Sequence, residues 1–252
     1  MMCMRVDVLC SGSKGNSCLV TSGSARLLID CGSTKRYLTQ ALAQVDVKPE
    51  DLMAVLITHS HSDHISQLKM VQDLPLFSCC DLKEGQKKHR IMPGDWFILG
   101  PFKITVVGLS HDSPGGCVGY VIDDGISRLV YVTDTGFVPN VARELLSGAD
   151  AYVFESNHDV ATLMATNRPM YLKQRILSDS GHLNNEDSAQ CLSQIVTGNT
   201  KHVILAHLSD EANTPEMALD AFHDGFQKRG LNDSAIDVQC AKQKIITSTK
   251  EF

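Results

Sequence analysis

Short apolar runs punctuated by Gly, Ser, Asn and Asp dominate the chain and predict strands, with helices only where the period lengthens. Residues 6–10, 18–21 and 26–30 read as strands, the first two separated by Ser11-Gly12-Ser13-Lys14-Gly15-Asn16-Ser17 and the last two by a Ser22-Gly23-Ser24 turn. Ser33 or Thr34 can cap a helix running to about residue 45, and Pro49 closes the connection to the apolar run 52–57. A helix over 65–71, a strand over 76–78 and a short helix or turn over 81–86 follow. Strands are expected at 96–99 and 102–109, then a hairpin of 118–123 and 128–132 around Asp124-Gly125. Beyond it come a helix at 140–147, a strand at 151–154, an amphipathic helix at 168–177, and a helix opened by Asn184 to Asp187 that runs to about 196. A strand at 203–205, a helix at 215–228 and terminal strands around Val238 and Ile245 complete the pattern. No linker, low-complexity segment or internal repeat interrupts it, which predicts one domain over residues 1–252.

The run 52–57 ends in His59-Ser60-His61-Ser62-Asp63-His64. In extended chain the side chains of His59 and His61 project to one side, while Asp63 and His64 come a turn later and reach a second centre. Imidazole and carboxylate are ligands that zinc, manganese and iron accept. The same punctuation, an apolar strand followed by a ligand-type residue, recurs at His111, Asp134 and His207. Four such strand ends suggest a common rim where loops carry the chemistry. The Gly-rich loop offers backbone N–H groups and the side chains of Ser13 and Asn16 to an anion, although Gly and Ser also make ordinary strand connections. Lys14, Lys87, Lys88, Arg90, Lys173 and Arg175 are candidate phosphate contacts, against the ordinary reading of solvated charges. His89, His202 and His223 read as bystanders.

Composition narrows the class. Of 252 residues, 43% are apolar and 21% charged, as in an ordinary globular enzyme, and the net charge of −6 argues against non-specific coating of nucleic acid. Nine cysteines, without a CxxC pair or a disulfide-framework spacing, read as reduced thiols of a cytoplasmic protein. No stretch approaches the roughly 20 apolar residues of a membrane span. Oligomeric state is not legible.

His59-x-His61-x-Asp63-His64 with His111, Asp134 and His207 resembles the metallo-β-lactamase-fold hydrolases over essentially the whole chain. Ser11 to Asn16, Glu155-Ser156-Asn157-His158-Asp159, Ser180-Gly181-His182-Leu183 and Leu205 to Ser209 resemble the YycJ/WalJ branch, described as exonucleases acting on DNA from the 5′ end. The resemblance implies an α+β fold, an αββα sandwich of two mixed β-sheets flanked by helices. It implies two divalent metal ions, Zn2+ or Mn2+: one held by His59, His61 and His111, the other by Asp63, His64 and His207, with Asp134 bridging. Asp63 would also orient the nucleophile and His182 act as acid or charge stabiliser. His158 stands with Ser13 and Asn16 on the substrate side, support of the site being its other reading. The carboxylate bridge Asp134 and the additional His182 favour phosphodiesters, with DNA as the expected substrate. A small-molecule or cyclic-nucleotide phosphodiesterase and a glyoxalase-II-like thioester hydrolase are the alternatives. A metal-binding redox or scaffold protein would need no His182.

Overall fold

The computed structural model describes residues 3–83, 85 and 87–252. Among these, two seven-stranded sheets pack face to face. The first runs β14 (Thr247–Ser248), β1 (Met4–Cys10), β2 (Ser17–Ser22), β3 (Ala25–Ile29), β4 (Ala54–Ile57), β5 (Pro75–Ser78) and β6 (Lys87–Arg90) in that order. The second runs β7 (Trp96–Leu99), β8 (Phe102–Leu109), β9 (Cys117–Asp123), β10 (Arg128–Val132), β11 (Ala151–Glu155), β12 (His202–Ala206) and β13 (Asp237–Cys240). Both sheets are mixed: β1, β2 and β3 pair antiparallel and β3 to β6 parallel, while β7 to β10 pair antiparallel and β10 to β13 parallel.

Alternation within the strands assigns the layers. In β3, Leu27 and Ile29 face the second sheet and pack with Val6, Val8, Leu56, Ile104, Tyr120 and Tyr131, whereas Leu28 faces outward. Outside the first sheet, Leu28, Val55 and Ile57 pack on Leu38, Ala41 and Leu42 of α1 (Lys35–Gln44). Outside the second, Val130, Val132, Phe154 and Leu205 pack on α3 (Asn140–Leu146), α6 (Asn185–Ile195) and α7 (Pro215–Lys228). The result is the expected αββα sandwich. The sheets are also tied at the rim: Tyr120 Oη donates to Ile57 O (2.6 Å) and Val118 N to Thr58 O (3.0 Å), where β4 gives way to the histidine cluster.

Several expectations need correction. The helix expected over 65–71 is instead one turn, α2 (Ser62–Ile65), followed by a 3-10 turn at Leu68–Met70. Helix propagation fails because the carbonyls of Asp63 and His64 accept from Asn16 N (2.8 Å) and Cys31 N (2.7 Å). Gly32 allows that approach, since a Cβ there would stand 1.5 Å from Asp63 O. A further helix, α4 (Val160–Ala165), was not expected; Asp159 caps it by accepting from Thr162 N (2.7 Å). The helix expected from 168 is α5 (Met170–Ile176), opened by Pro169 at its N-cap. The strand expected around Ile245 is only an isolated bridge to Lys242, and the last strand, β14 (Thr247–Ser248), crosses to pair with β1. The expected helix or turn over 81–86 falls partly outside the described residues. Among those described, no helix is long and apolar enough to cross a membrane.

Candidate metal centre

Four strands end at one place. β4 continues through Thr58 to His59 and His61, and α2 carries Asp63 and His64; His111 follows β8, Asp134 follows β10 and His207 follows β12. Asp134 and His207 have positive φ, 58° and 57°, as does Asp30 (59°) after β3. Each such turn costs a non-glycine residue of order 1 kcal/mol or more, and such strain persists where surrounding contacts over-determine it. Here Thr135 N donates to Glu155 Oε2 (2.8 Å), His207 N to Ser11 Oγ (2.8 Å) and Thr58 N to Asp30 Oδ1 (2.8 Å).

The ligand atoms of His59, His61 and His111 lie within 4.8 Å of one another, as do those of Asp63, His64 and His207. Asp134 stands between: its Oδ2 is 3.3 Å from His64 Nε2, and its Oδ1 is 3.5 Å from His207 Nε2 and 4.0 Å from His111 Nε2. All seven expected ligands are thus brought together. Buried His59 Nε2, Asp134 Oδ2 and His207 Nε2 have no hydrogen-bond partner among the described residues. Orphaned polar atoms are costly in a protein interior unless something satisfies them. A nitrogen and oxygen donor set converging on such orphans fits a divalent cation.

Two carboxylates outside the candidate site residues aim the imidazoles. Fully buried Asp30 accepts from His64 Nδ1 (2.8 Å) and Thr58 Oγ1 (2.8 Å). Fully buried Glu155 accepts through one oxygen from both His182 Nδ1 (2.8 Å) and His207 Nδ1 (2.9 Å). His111 Nδ1 donates to Gly181 O (2.9 Å). Fixing Nδ1 in this way leaves Nε2 as the ligating atom of each ring. The available signal was that Asp30 and Glu155 are also polar residues closing buried strands.

Burial alone would drive protons off His64 and His207, but Asp134 with Asp30 or Glu155 outweighs it: His64 is held well above the ordinary imidazole range and His207 is raised to about 9. Burial would conversely raise Glu155, yet His182 and His207 bring it down to about 2, and Asp134 is depressed by His207 and His64 despite its burial. His59 moves the other way, lowered by burial and by His64.

Asn16 is buried rather than offered to a substrate: its Nδ2 donates to Asp63 Oδ2 (3.2 Å) and lies 2.9 Å from His64 Nε2, bracing the ligand turn. His158 is buried as well, away from the substrate side that was one of its two expected places. Its ring has no solvent exposure and Nδ1 reaches only Asn157 Oδ1 (3.3 Å), so it presents nothing to a substrate; burial lowers its pKa to about 4. Lys173 is likewise withdrawn from phosphate, its buried Nζ donating to Met164 O (2.6 Å) and Thr166 O (2.8 Å) at the end of α4. Lys87, Lys88 and Arg90 lie on exposed edge strand β6 and do not line the cleft at His182 and His207. Half-buried His182 and exposed Ser13 line a cleft of about 160 Å³ with His207, Ser209, Arg168 and Arg175. Asp112 and Glu211 fix Arg175 and Arg168 respectively, and Lys14 pairs with Asp210.

Fold and site together define a class: the chain belongs to the metallo-β-lactamase superfamily, residues 25–208 matching the beta-lactamase superfamily domain. Within it, the chain groups with the YycJ and WalJ proteins. Exodeoxyribonuclease YycJ of Bacillus anthracis is 33% identical over 243 residues, covering 91% of this chain and 92% of that protein. Exodeoxyribonuclease WalJ of Streptococcus pneumoniae is 36% identical over 229 residues, covering 85% of each. The crystal structure of the metallo-β-lactamase fold protein YhfI from Bacillus subtilis shares the fold, with a TM-score of 0.72 at 21% identity over 98% of this chain and all of that one. The chain is accordingly a metal-dependent hydrolase that takes divalent cations at this cluster.

The proton balance gives a signed expectation. His207 keeps its proton below about pH 9 in the metal-free chain, so a cation ligated there must displace it. Apparent metal affinity should rise with pH between 6 and 8, with proton release seen by calorimetry in buffers of different ionisation enthalpy. Affinity that is flat over that range would contradict the assignment of His207.

Proposed function

We propose that the chain is a single-domain, dinuclear-metal phosphodiesterase that degrades DNA from its 5′ end, using Zn2+ or Mn2+. The observation that carries this reading is His182. It is tied to Glu155 and lines the cleft, its ring centroid 4.9 Å from that of His111 and 5.1 Å from that of His207, without being needed to complete either ligand triad. The exodeoxyribonuclease names of the two relatives supply the polymer.

One ion would be held by His59, His61 and His111, the other by Asp63, His64 and His207, with Asp134 shared. Bound there, divalent ions supply Lewis acidity and positive charge for a phosphodiester. The chain's own groups supply direction. Asp63, with a partly exposed side chain and an oxygen fixed by Asn16, orients the attacking water. Glu155 accepts from His182 Nδ1, which keeps the opposite edge of that ring free for the cleft. In its protonated form His182 donates there to a non-bridging oxygen or to the departing alkoxide. Ser13, Ser209, Arg168 and Arg175 offer hydroxyls and guanidinium groups to flanking phosphates. The narrowness of the cleft, about 160 Å³, favours a second reading in which the substrate is a small or cyclic phosphodiester.

Side-by-side assays with bis-p-nitrophenyl phosphate, S-lactoylglutathione and DNA duplexes blocked at either end separate the readings. Cleavage of the phosphodiester and of duplexes with a free 5′ end is expected; activity confined to the thioester would defeat the reaction class, and indifference to long DNA would leave the small-diester reading. His182→Ala should retain its metals and lose turnover by about 10²-fold or more. Loss of metal from that variant would place His182 among the ligands instead.

A further inference from the structure

Cys79 and Cys80 follow β5, immediately beside the strand that delivers the histidine cluster. The β4–β5 register pairs Ile57 with Ser78, so continuing it sets Cys79 level with Thr58 and Cys80 level with His59. Cys79 Sγ donates to Thr58 O (3.7 Å), and Thr58 Oγ1 lies 3.0 Å from His59 Nδ1 and 3.3 Å from His64 Nδ1. Cys80 Sγ lies 3.0 Å from Ser78 Oγ, which also accepts from Cys80 N (3.1 Å). Cys80 opens onto a surface cleft of about 150 Å³ lined by Lys88, His89 and Arg90 as well as Asp81. On its other side the loop at Gly115 presses against it: a Cβ there would stand 2.8 Å from Cys80 Cβ. That loop holds Ser60, the residue between His59 and His61, through Ser113 Oγ and Pro114 O. Neither thiol has a part in the hydrolytic site described above.

We propose that Cys79 and Cys80 form an oxidisable dithiol, attacked by hydroperoxides at Cys80, whose closure to a disulfide loosens the metal centre. The Cys80 thiolate attacks one peroxide oxygen, the O–O bond breaks and hydroxide leaves, forming a sulfenic acid. The sulfur of Cys79 then attacks the sulfur of Cys80, the S–O bond breaks, and the hydroxide departs as water with the Cys79 proton. In sum the dithiol loses two hydrogens and hydrogen peroxide becomes two waters. Closing the ring draws Cys79 away from Thr58 O and moves Cys80 against the Gly115 loop, disturbing both supports of the histidine turn.

The electrostatics agree with attack at Cys80. The Cys79 thiol, with the Ser78 hydroxyl, lowers Cys80 against its desolvation. Burial instead pushes Cys10 and Cys31 up to about 12 and Cys191 and Cys240 up to about 11. Thiolate is the reactive form, so Cys80 is favoured as nucleophile over these four thiols.

The test is to treat metal-loaded protein with a slight excess of hydrogen peroxide and map the cysteines by mass spectrometry. The expected product is a Cys79–Cys80 disulfide that dithiothreitol reverses, that prior phenylarsine oxide blocks and that Cys80→Ser cannot form. Cys79→Ser should stop at a dimedone-trapped sulfenic acid on Cys80, and iodoacetamide should label Cys80 about 10-fold faster than a free thiol at pH 7. Metal released to a chromophoric chelator should increase with the fraction of disulfide. Oxidation elsewhere in the chain, or undiminished in Cys80→Ser, would overturn the site; complete disulfide formation with unchanged metal retention would overturn its coupling to the centre. These readouts do not depend on which substrate the enzyme cleaves.

Discussion

Two buried carboxylates, Asp30 and Glu155, organise this site. Each accepts from the Nδ1 of a clustered histidine, and each also holds a backbone N–H of the rim. A buried ionised carboxylate is expensive unless it is hydrogen-bonded on all sides. The same expense makes the arrangement rigid, because a rotated imidazole would leave a charge unpaired in the interior. The sandwich exists around this constraint: both acids sit at the ends of strands held between helix and facing sheet, β11 wholly buried and β3 buried except at Arg26.

Crowding of the ligands is tolerable only as part of that framework. Five histidines and two aspartates pack at one rim, with orphaned nitrogens and an orphaned carboxylate oxygen pointing inward. Two of those residues adopt left-handed backbone to do so. In the metal-free chain, protons on His64 and His207 balance Asp134 and Glu155, while burial raises the carboxyl of Asp30. A cation takes over that balance when it binds, so metal and proton compete for one site. His182 shares Glu155 with His207, which couples the ring facing the cleft to the ring facing the cluster.

The seven ligand candidates were legible because ligating residue types are conspicuous at the ends of apolar strands, where a carbonyl or a turn residue would serve structure as well. Asp30 and Glu155 obey the same rule but escaped, since a single acid after a strand also reads as an ordinary turn former. Asn16, expected on the substrate side, points inward, as does His158, for which support of the site is the other expectation; loop composition says nothing of which side chain the fold will cover. The helix expected over 65–71 failed for a tertiary reason, its first carbonyls being claimed by Asn16 and Cys31 from far along the chain. Helix α5 begins later than its amphipathic period because Pro169 sets the N-cap, a purely local signal. Strand β14 was beyond reach because two residues carry too little pattern to reveal a crossing between sheets.

The central claim is that Glu155 acts on metal binding through His207 without ligating. It is tested most directly by calorimetric titration of Zn2+ into metal-free wild type and Glu155→Ala, with folding of both verified by circular dichroism. The account predicts a folded variant whose affinity at the Asp63–His64–His207 position falls by about 10–100-fold while the His59–His61–His111 position is little changed. Equal affinities at both positions in the two proteins would contradict it.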